Sequence, residues 1–344
     1  MKFKKLVALS LTMIMSVGLL VGCSSDDSTA SDDIITVGMI TDVGGINDES
    51  FNQTSWEGLQ AVEKELGKDK VNVKYLESKQ EADYTTNIEQ FVDEETDLII
   101  GVGYKLAGAI ETAAKNYPDQ QFAIVDHSYE NQPENVTSLL FDGNSAGYLV
   151  GLVAGKMTKT DKVAFIGGIE SIVLKEFEVG FKAGVKDANE NAQVLVQYAN
   201  SFSDSALGKS IANSMFSNGV DIVFPCAGAA GNGAIEAAKE LDKMAIGVDR
   251  DQNDLAPENV ITSAMKNVNV AIADVVRSLV DGSYIPGEIK INTLATGGVG
   301  IAPTTDKNVS ADILEFVEAK SKEVIDGKIK VPATEDEYKE LYEK

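Results

Sequence analysis

Residues 34–67 read IITVGMITDVGGINDESFNQTSWEGLQAVEKELG and contain the first strand and the first helix that the sequence predicts. The apolar run IITVGMIT is rich in β-branched residues and predicts a strand. From Glu49 to Leu66 apolar residues recur at helical spacing, and Gly67 ends the run, which predicts a helix with Asp48 as its N-cap. The stretch is therefore a strand, a turn that contains two glycines, and a helix.

The same alternation continues along the chain. Further strands are predicted in VNVKYLES, DLIIGVG, QFAIVD and VTSLLFDG, and a second series follows in KVAFIGG, QVLVQYAN, VDIVFPCAG and MAIGVD, with helical segments between. Strands that alternate with helices predict parallel sheets that are covered by helices on both faces. The predicted fold class is α/β, with two doubly wound, Rossmann-like units of similar size and element order.

The rest of the chain is too short for a third unit. It holds a strand in NVITSAMK, a helix, a strand pair or one long strand in EIKINTLATGGVGIAP, and a helix in ADILEFVEAKSKEVIDG. These elements must complete the two sheets, so the chain is expected to cross between the units about three times, near residues 140–142, 264–266 and 296–302. That is the layout of a type I periplasmic binding protein, in which two lobes close on a ligand.

The crossings define the predicted domains. Lobe 1 takes residues 34–142 and 266–296, and lobe 2 takes residues 143–265 and 297–344. Two domains also agree with a length of 344 residues.

The N-terminus has the pattern of a bacterial export signal. The basic start MKFKK precedes an apolar run that ends in LVGC, so residues 1–22 are predicted to be a signal peptide. The LVGC stretch resembles a lipobox, which implies a lipid on Cys23; an uncleaved anchor helix is the alternative. Residues 23–33 are rich in Ser and Asp and predict a flexible tether to the outer face of the cell membrane.

Charge and composition exclude several classes of function. Removal of residues 1–22 takes away three lysines and no acid, and the formal net charge changes from −24 to −27. Such a surface repels nucleic-acid phosphates, so no nucleic-acid partner is expected. The single histidine, His127, cannot anchor a multi-histidine metal site, and Cys226 is the one thiol besides Cys23. Neither a G-x-G-x-x-G nor a Walker sequence occurs, so we expect no metal and no cofactor.

Polar and aromatic residues follow the predicted strands. Ligands of parallel α/β sheets bind outside the carboxyl ends of the strands, which makes these residues the candidate site. Two aromatic residues, one from each unit, could enclose a flat ring, while carboxylates, an amide and one lysine could bind hydroxyls and ring nitrogens. Phosphates would require a more basic site. The residues placed there are Asp42, Gly44, Gly45, Asn47, Asp48, Phe51, Gly103, Tyr104, Asp126, His127 and Ser128 in the first unit, Asn200, Ser201, Phe202, Asp204, Ala227, Gly228, Gly231, Asp249 and Arg250 in the second, and Lys266 at a predicted crossing.

Four segments resemble a known family. DVGGINDESFNQTSWEG, FDGNSAGYLVGLVAG, IGVDRDQ and TSAMKNV are similar to segments of the basic membrane lipoproteins, which bind purine nucleosides and supply ABC transporters. The resemblance covers essentially the whole chain after the signal peptide. It implies that the base is held between Phe51 and Phe202, with Asp42, either Asn47 or Asp48, and Asp126 near it. It also implies that Gly228, Asp249 and Lys266 contact the ribose. Asn52, which lies in the first of the four segments, is added to the predicted ligand-binding residues.

The predicted function is capture of a nucleoside such as adenosine, guanosine or inosine between two lobes. The protein would deliver it to an ABC transporter permease, act as a monomer, remain attached to the outer face of the membrane and catalyse no reaction. A sugar-binding or autoinducer-binding protein of the same fold is an alternative, because aromatic rings also stack on sugars. A nucleoside-hydrolysing enzyme that uses the clustered acids is another.

Overall fold

Two six-stranded sheets form the core of the computed structural model, which describes residues 34–343. The predicted signal peptide, Cys23 and the tether lie outside the described residues. The strands are β1 (Ile35–Ile40), β2 (Val71–Leu76), β3 (Leu98–Val102), β4 (Gln121–Val125), β5 (Val136–Phe141), β6 (Lys162–Gly167), β7 (Gln193–Tyr198), β8 (Ile222–Cys226), β9 (Met244–Asp249), β10 (Val260–Lys266), β11 (Ile289–Asn292) and β12 (Val299–Ile301).

Helices separate most of these strands along the chain. They are α1 (Phe51–Leu66), α2 (Asp83–Asp93), α3 (Ala107–Asn116), α4 (Gly143–Met157), α5 (Ile172–Ala188), α6 (Ser205–Ser217), α7 (Ala229–Glu240), α8 (Val268–Asp281), α9 (Ala311–Ile325) and α10 (Glu335–Tyr342). None of these described helices is long and apolar enough to span a membrane.

The two sheets have the same internal order. The first runs β11-β5-β4-β3-β1-β2 with all neighbours parallel, and the second runs β12-β10-β9-β8-β6-β7 with β12 antiparallel to β10. Each strand of one sheet therefore has a counterpart in the other, such as β4 and β9. The predicted α/β class with two doubly wound units is confirmed.

The polypeptide chain crosses between the two sheets at three places. After β5 of the first sheet, α4 packs on α5, β10 and β12 of the second; after β10, α8 packs on α1 and β1 of the first; and β11 and β12 belong to different sheets. Below, the first half and the second half mean each sheet with the helices that pack on it. The residue boundaries of the two lobes stay a prediction.

Two local details differ from the sequence-based expectations. The segment EIKINTLATGGVGIAP forms two strands and not one long strand, and these strands lie in different sheets, because β11 pairs with β5 and β12 pairs with β10. The C-terminal helix α10 was not predicted. The local apolar pattern does not encode which strand of another segment will become a neighbour.

Helices α4 and α5 approach each other backbone to backbone. A β-carbon on Gly147 or Gly184 would overlap the carbonyl oxygen of Phe177 or of Tyr148 on the opposite helix. Glycine removes that overlap, so the two helices lie closer than larger side chains would permit. This contact fixes the start of α5, and with it Phe177, beside the space between the two halves.

Candidate functional site

A cavity lies between the two halves at the carboxyl ends of their strands. Nine of the ten predicted ligand-binding residues line it, and the tenth, Asn47, is exposed and does not. Of Asn47 and Asp48, between which the sequence left the choice open, Asp48 is the one that lines the cavity. The predicted residues that line it are Asp42, Asp48, Phe51, Asn52, Asp126, Phe202, Gly228, Asp249 and Lys266.

The turn between β1 and α1 forms a buried polar network on one wall. Asn52 donates from Nδ2 to Asp42 Oδ1 at 2.8 Å and to Asp48 Oδ2 at 3.1 Å. The backbone nitrogen of Gly44 donates to Asp42 Oδ1 at 2.8 Å. These bonds hold two carboxylates and one amide in fixed positions, which is what selective binding of a polar ligand requires.

Asp48 also caps helix α1. Its carboxylate accepts hydrogen bonds from the backbone nitrogens of Ser50, Asn52 and Gln53 at 2.9–3.0 Å. The helix begins at Phe51, so Asp48 performs the predicted capping from a position before Ser50, the residue that directly precedes the helix. Asp48 therefore has a structural role whether or not it also touches a ligand.

Burial shapes the protonation of the acids in the cavity. Loss of solvent raises the pKa values of the Asp42 and Asp249 carboxyls above their ordinary range. The same cause raises the pKa of Asp48 to about 6, against the opposing effect of three backbone hydrogen bonds. A cavity with such acids favours a ligand that donates hydrogen bonds or offsets negative charge.

The raised pKa of Asp48 predicts a measurable pH dependence of stability. In the unfolded chain this carboxyl titrates near its ordinary value of 3.8, and in the folded protein it titrates near 6. Between about pH 4 and pH 6 the folded protein therefore keeps a proton on Asp48 that the unfolded chain has released. Its contribution to the unfolding free energy therefore falls as pH rises through this window, by about 3 kcal/mol in total.

We expect the unfolding free energy of the parent minus that of Asp48→Asn to fall by most of this amount between pH 4 and pH 7. Urea titrations followed by the fluorescence of Trp56, the one tryptophan, measure it. The subtraction removes the titration of all other acids. A difference that stays constant with pH would contradict the raised pKa.

Phe51 is the first residue of α1, and its ring forms part of the cavity wall. A β-carbon on Gly103 would lie 3.4 Å from Cε1 of Phe51, and Gly103 has a φ of 108°, so glycine is required beside the ring. The ammonium of Lys266 lies 4.5 Å from the ring centroid, within the range of a cation–π interaction. Phe51 thus contacts the one lysine of the cavity.

Lys266 ends β10 and is 2% exposed. Its ammonium pairs with the carboxylate of Asp126 and lies 5.2 Å from the ring centroid of Phe141. Its charge also lowers the pKa of Asp249, although burial outweighs this effect. Lys266 is therefore a buried cation among acids.

Asp126 and Asp249 occupy matching places in the two halves. Asp126 directly follows β4, Asp249 ends its counterpart β9, and both residues have a left-handed backbone with φ of 65° and 66°. Residues other than glycine adopt this conformation infrequently, and such residues concentrate at functional sites. The repeated geometry turns one carboxylate from each half toward the same cavity.

The opposite wall contains Phe202, which follows β7. Its ring packs against Gly168, where any β-carbon would overlap it. Gly228 has a φ of 53°, and a β-carbon there would lie 3.1 Å from the carbonyl oxygen of Phe202. Two glycines therefore make room for Phe202, so that an aromatic ring from each half lines the cavity.

Polar contacts join the two halves around the cavity. Ser50 donates to Asp249 Oδ2 at 2.5 Å, and Asn232 Nδ2 donates to the carbonyl oxygen of Asp48 at 2.9 Å. Glu49 accepts from Arg250 Nη1 at 2.6 Å through its carboxylate, and from the amide of Gln252 at 2.7 Å through its carbonyl oxygen. The structure is thus a closed arrangement in which the β1–α1 turn is bound to the second half.

Part of the lining was not predicted from the sequence. Val173, Leu174 and Phe177 come from the first turns of α5, where they look like ordinary core residues of an amphipathic helix. The fact that α5 follows strand β6 was the available signal. Cys226 also lines the cavity; it is buried, and burial raises the pKa of its thiol.

No described residues form a cluster of three or more His, Cys, Asp or Glu side chains suited to a metal ion. His127 packs edge-on against Tyr129, with 4.7 Å between the ring centroids. It also lines a second cavity, which shares Tyr104, Asp126 and Val173 with the first.

Two α/β halves with the same strand order around a cavity lined by buried acids, a lysine and aromatic rings define a solute-binding protein of the type I periplasmic kind. Over residues 35–335 the chain matches the family described as ABC transporter substrate-binding protein, PnrA-like, or Bmp, and it belongs to that family. An ABC transporter permease is therefore its partner, and its place is at the extracytoplasmic side of a membrane.

Curated relatives cover nearly the whole chain. A CD4+ T-cell-stimulating antigen of Listeria innocua is 45% identical, over 96% of this chain and 99% of that protein. The ABC transporter nucleoside-binding protein BmpA of Lactococcus lactis is 38% identical over the same shares of the two chains. A solved ABC transporter solute-binding protein of Aeropyrum pernix superposes with a TM-score of 0.82 at 26% identity, covering 90% of this chain and 96% of that one.

Proposed function

We propose that this protein binds a purine nucleoside in the cavity between its two halves and delivers it to the permease without chemical change. The observation that carries the proposal is the pair of aromatic walls, Phe51 from the first half and Phe202 from the second, around buried carboxylates and a buried lysine. A planar base stacks on such rings, and each stacked ring contributes about 1–3 kcal/mol. The nucleoside-binding relative from Lactococcus lactis supports this choice of ligand.

The polar groups divide between the two parts of the ligand. Asp42 and Asn52 lie together in the β1–α1 turn, and we assign them to the base. Asp249, Lys266 and the backbone at Gly228 lie on the second half, and we assign them to the ribose hydroxyls. Carboxylates and an ammonium can each bind such hydroxyls through charge-assisted hydrogen bonds.

The location and state of the protein complete the proposal. A lipid on Cys23 would anchor it, and the segment of residues 23–33 would place the folded part outside the membrane. One chain contains residues of both cavity walls, so a monomer suffices for binding.

Isothermal titration calorimetry with adenosine, guanosine, inosine, uridine and free ribose tests the function. We expect heat from the purine nucleosides and none from ribose, and chromatography of the mixtures should show no released base. Ribose binding without nucleoside binding would favour the sugar-binding alternative, and release of free base would indicate a hydrolase.

Asp249→Asn should weaken the binding of purine ribosides more than the binding of free purine bases, as measured by the same calorimetry. Equal losses would contradict the assignment of Asp249 to the ribose.

A further inference from the structure

The turn before helix α1 is bound to the second half by groups that lie outside the ligand cavity. Glu49 accepts from Arg250 Nη1 at 2.6 Å through its carboxylate and from Gln252 Nε2 at 2.7 Å through its carbonyl oxygen. Asn232 Nδ2 donates to the neighbouring carbonyl oxygen of Asp48 at 2.9 Å. Neither these three residues of the second half nor Glu49 line the cavity. The contacts therefore act on the position of the turn and not on the ligand itself.

Contacts within the second half fix the side chain of Gln252. This residue is 2% exposed, its Oε1 accepts from the backbone nitrogen of Val248 at 2.9 Å, and its backbone nitrogen donates to Ser263 Oγ at 3.1 Å. The amide group has a donor on one side and the carbonyl oxygen of Glu49 on the other, which leaves one orientation for it. Its NH2 group is thus already directed at the turn, so little ordering is needed when the halves meet.

Glu49 has a backbone conformation that does not favour a glutamate. Its φ is 52°, in the left-handed region that glycine adopts readily and other residues adopt infrequently. Glycine would fit the turn with less strain, so local conformation gives no reason for a side chain here. Strained residues persist where surrounding contacts maintain them, and they concentrate at functional positions. The contact that the side chain of Glu49 makes is the one with Arg250.

Arg250 connects the second half to two acids of the first. Its guanidinium lies 2.6 Å from the carboxylate of Glu49 and 3.7 Å from that of Glu57 on α1. Exposed ion pairs contribute little, but the side chain of Arg250 is only 23% exposed and has two partners. Because both partners belong to the other half, separation of the halves breaks both contacts.

We propose that Arg250 and Gln252 are positioning residues that hold the β1–α1 turn against a bound nucleoside and so set how long it stays bound. The turn contains Asp48 and leads into Phe51, which both line the cavity. The inference rests on the proposed function and adds to it the residues that control release. Because the ligand must enter before the halves meet, loss of these contacts should raise the dissociation rate constant and leave the association rate constant nearly unchanged.

Glu49→Gln and Arg250→Met give the first test. Each should raise the dissociation rate constant of a purine nucleoside about 5-fold, the effect of one partly exposed ion pair. The double variant should also show about 5-fold and not about 25-fold, because either single change already breaks the pair. The measurement is rapid filtration of protein loaded with tritium-labelled adenosine, guanosine or inosine, whichever the parent binds most tightly, after addition of excess unlabelled nucleoside.

Gln252→Glu tests the second contact. Its Oε1 can still accept from Val248, but an oxygen replaces the NH2 group that donates to Glu49. We expect dissociation that is at least about 10-fold faster. Circular dichroism reports whether this buried variant folds, and if it does not, the variants of Glu49 and Arg250 decide the question alone.

Glu49→Gly separates positioning from stability. Glycine suits the left-handed backbone, so the unfolding free energy should stay equal or rise while dissociation becomes about 5-fold faster. A residue with a merely structural role would not move the two quantities in this way. Arg277→Met is the matched control, because Arg277 pairs with Glu65 at the same 2.6 Å but within the first half. It should leave both rate constants unchanged.

Dissociation rate constants that stay at the parent value in the folded variants would overturn the inference and leave the proposed function intact. So would a loss of affinity that lies in the association rate constant, or a changed order of preference among the nucleosides. A parent protein that binds no nucleoside would defeat the proposed function itself.

Discussion

Lys266→Met is expected to lower the unfolding free energy at pH 7 by about 3–5 kcal/mol, because it leaves buried carboxylates without their cation. Lys266 is 2% exposed and pairs with Asp126, and its charge also acts on Asp249. The affinity for purine nucleosides should fall by about 10- to 150-fold, the value of a hydrogen bond from a charged donor. Urea denaturation and calorimetry measure the two effects.

A double variant separates the two roles of Lys266. Lys266→Met with Asp126→Asn removes both partners of the ion pair, so the double variant should regain most of the lost unfolding free energy. It still lacks the ammonium that donates to the ligand, so its affinity for purine nucleosides should stay low. Lys115→Met breaks an exposed pair with Glu111 and should change stability by less than about 1 kcal/mol. If the double variant regained full affinity, Lys266 would have no direct part in binding.

Phe51→Ala is expected to weaken the binding of all purine nucleosides by a common factor of about 5- to 150-fold. The loss corresponds to the stacking of one base on one ring, about 1–3 kcal/mol. Stacking depends on the face of the base and not on its edge, so the order of preference among purines should remain. Calorimetry with the same nucleosides measures the loss.

Phe51 also packs against the core, so its truncation can change stability as well as binding. Phe51→Leu keeps most of the apolar volume without a ring and should show nearly the same loss of affinity. Tyr75→Ala removes an exposed aromatic ring that contacts Trp56 outside the cavity, and it should bind normally. A loss confined to Phe51→Ala, with Phe51→Leu unaffected, would indicate a packing role in place of stacking.

The sequence predicted the α/β units and most of the candidate site for one physical reason. Alternating strands and helices build parallel sheets, and in such sheets the carboxyl ends of all strands meet at one edge. Residues as distant in sequence as Asp42 and Asp249 could therefore be assigned to one cavity, and the structure brings them there. Their roles toward a ligand remain proposals.

The parts that the sequence could not supply depend on contacts between elements. Phe177 has the spacing of a core residue, and only the packing of α5 on α4 brings it to the cavity. Asn232 and Gln252 bind the backbone of the β1–α1 turn across 184 and 203 residues of sequence, and no local pattern shows that a polar side chain will bond to such a distant partner. The exposure of Asn47 and the burial of Asp48 likewise follow from the capping of α1.

A crystal structure with guanosine bound would show whether the two aromatic walls hold the base. The account predicts that the base lies between Phe51 and Phe202, with both ring centroids about 4.5–7 Å from the centre of the base. One edge of the base should face Asp42 and Asn52. A closed complex in which the base lies elsewhere, or in which the two rings are more than about 15 Å apart, would contradict the account.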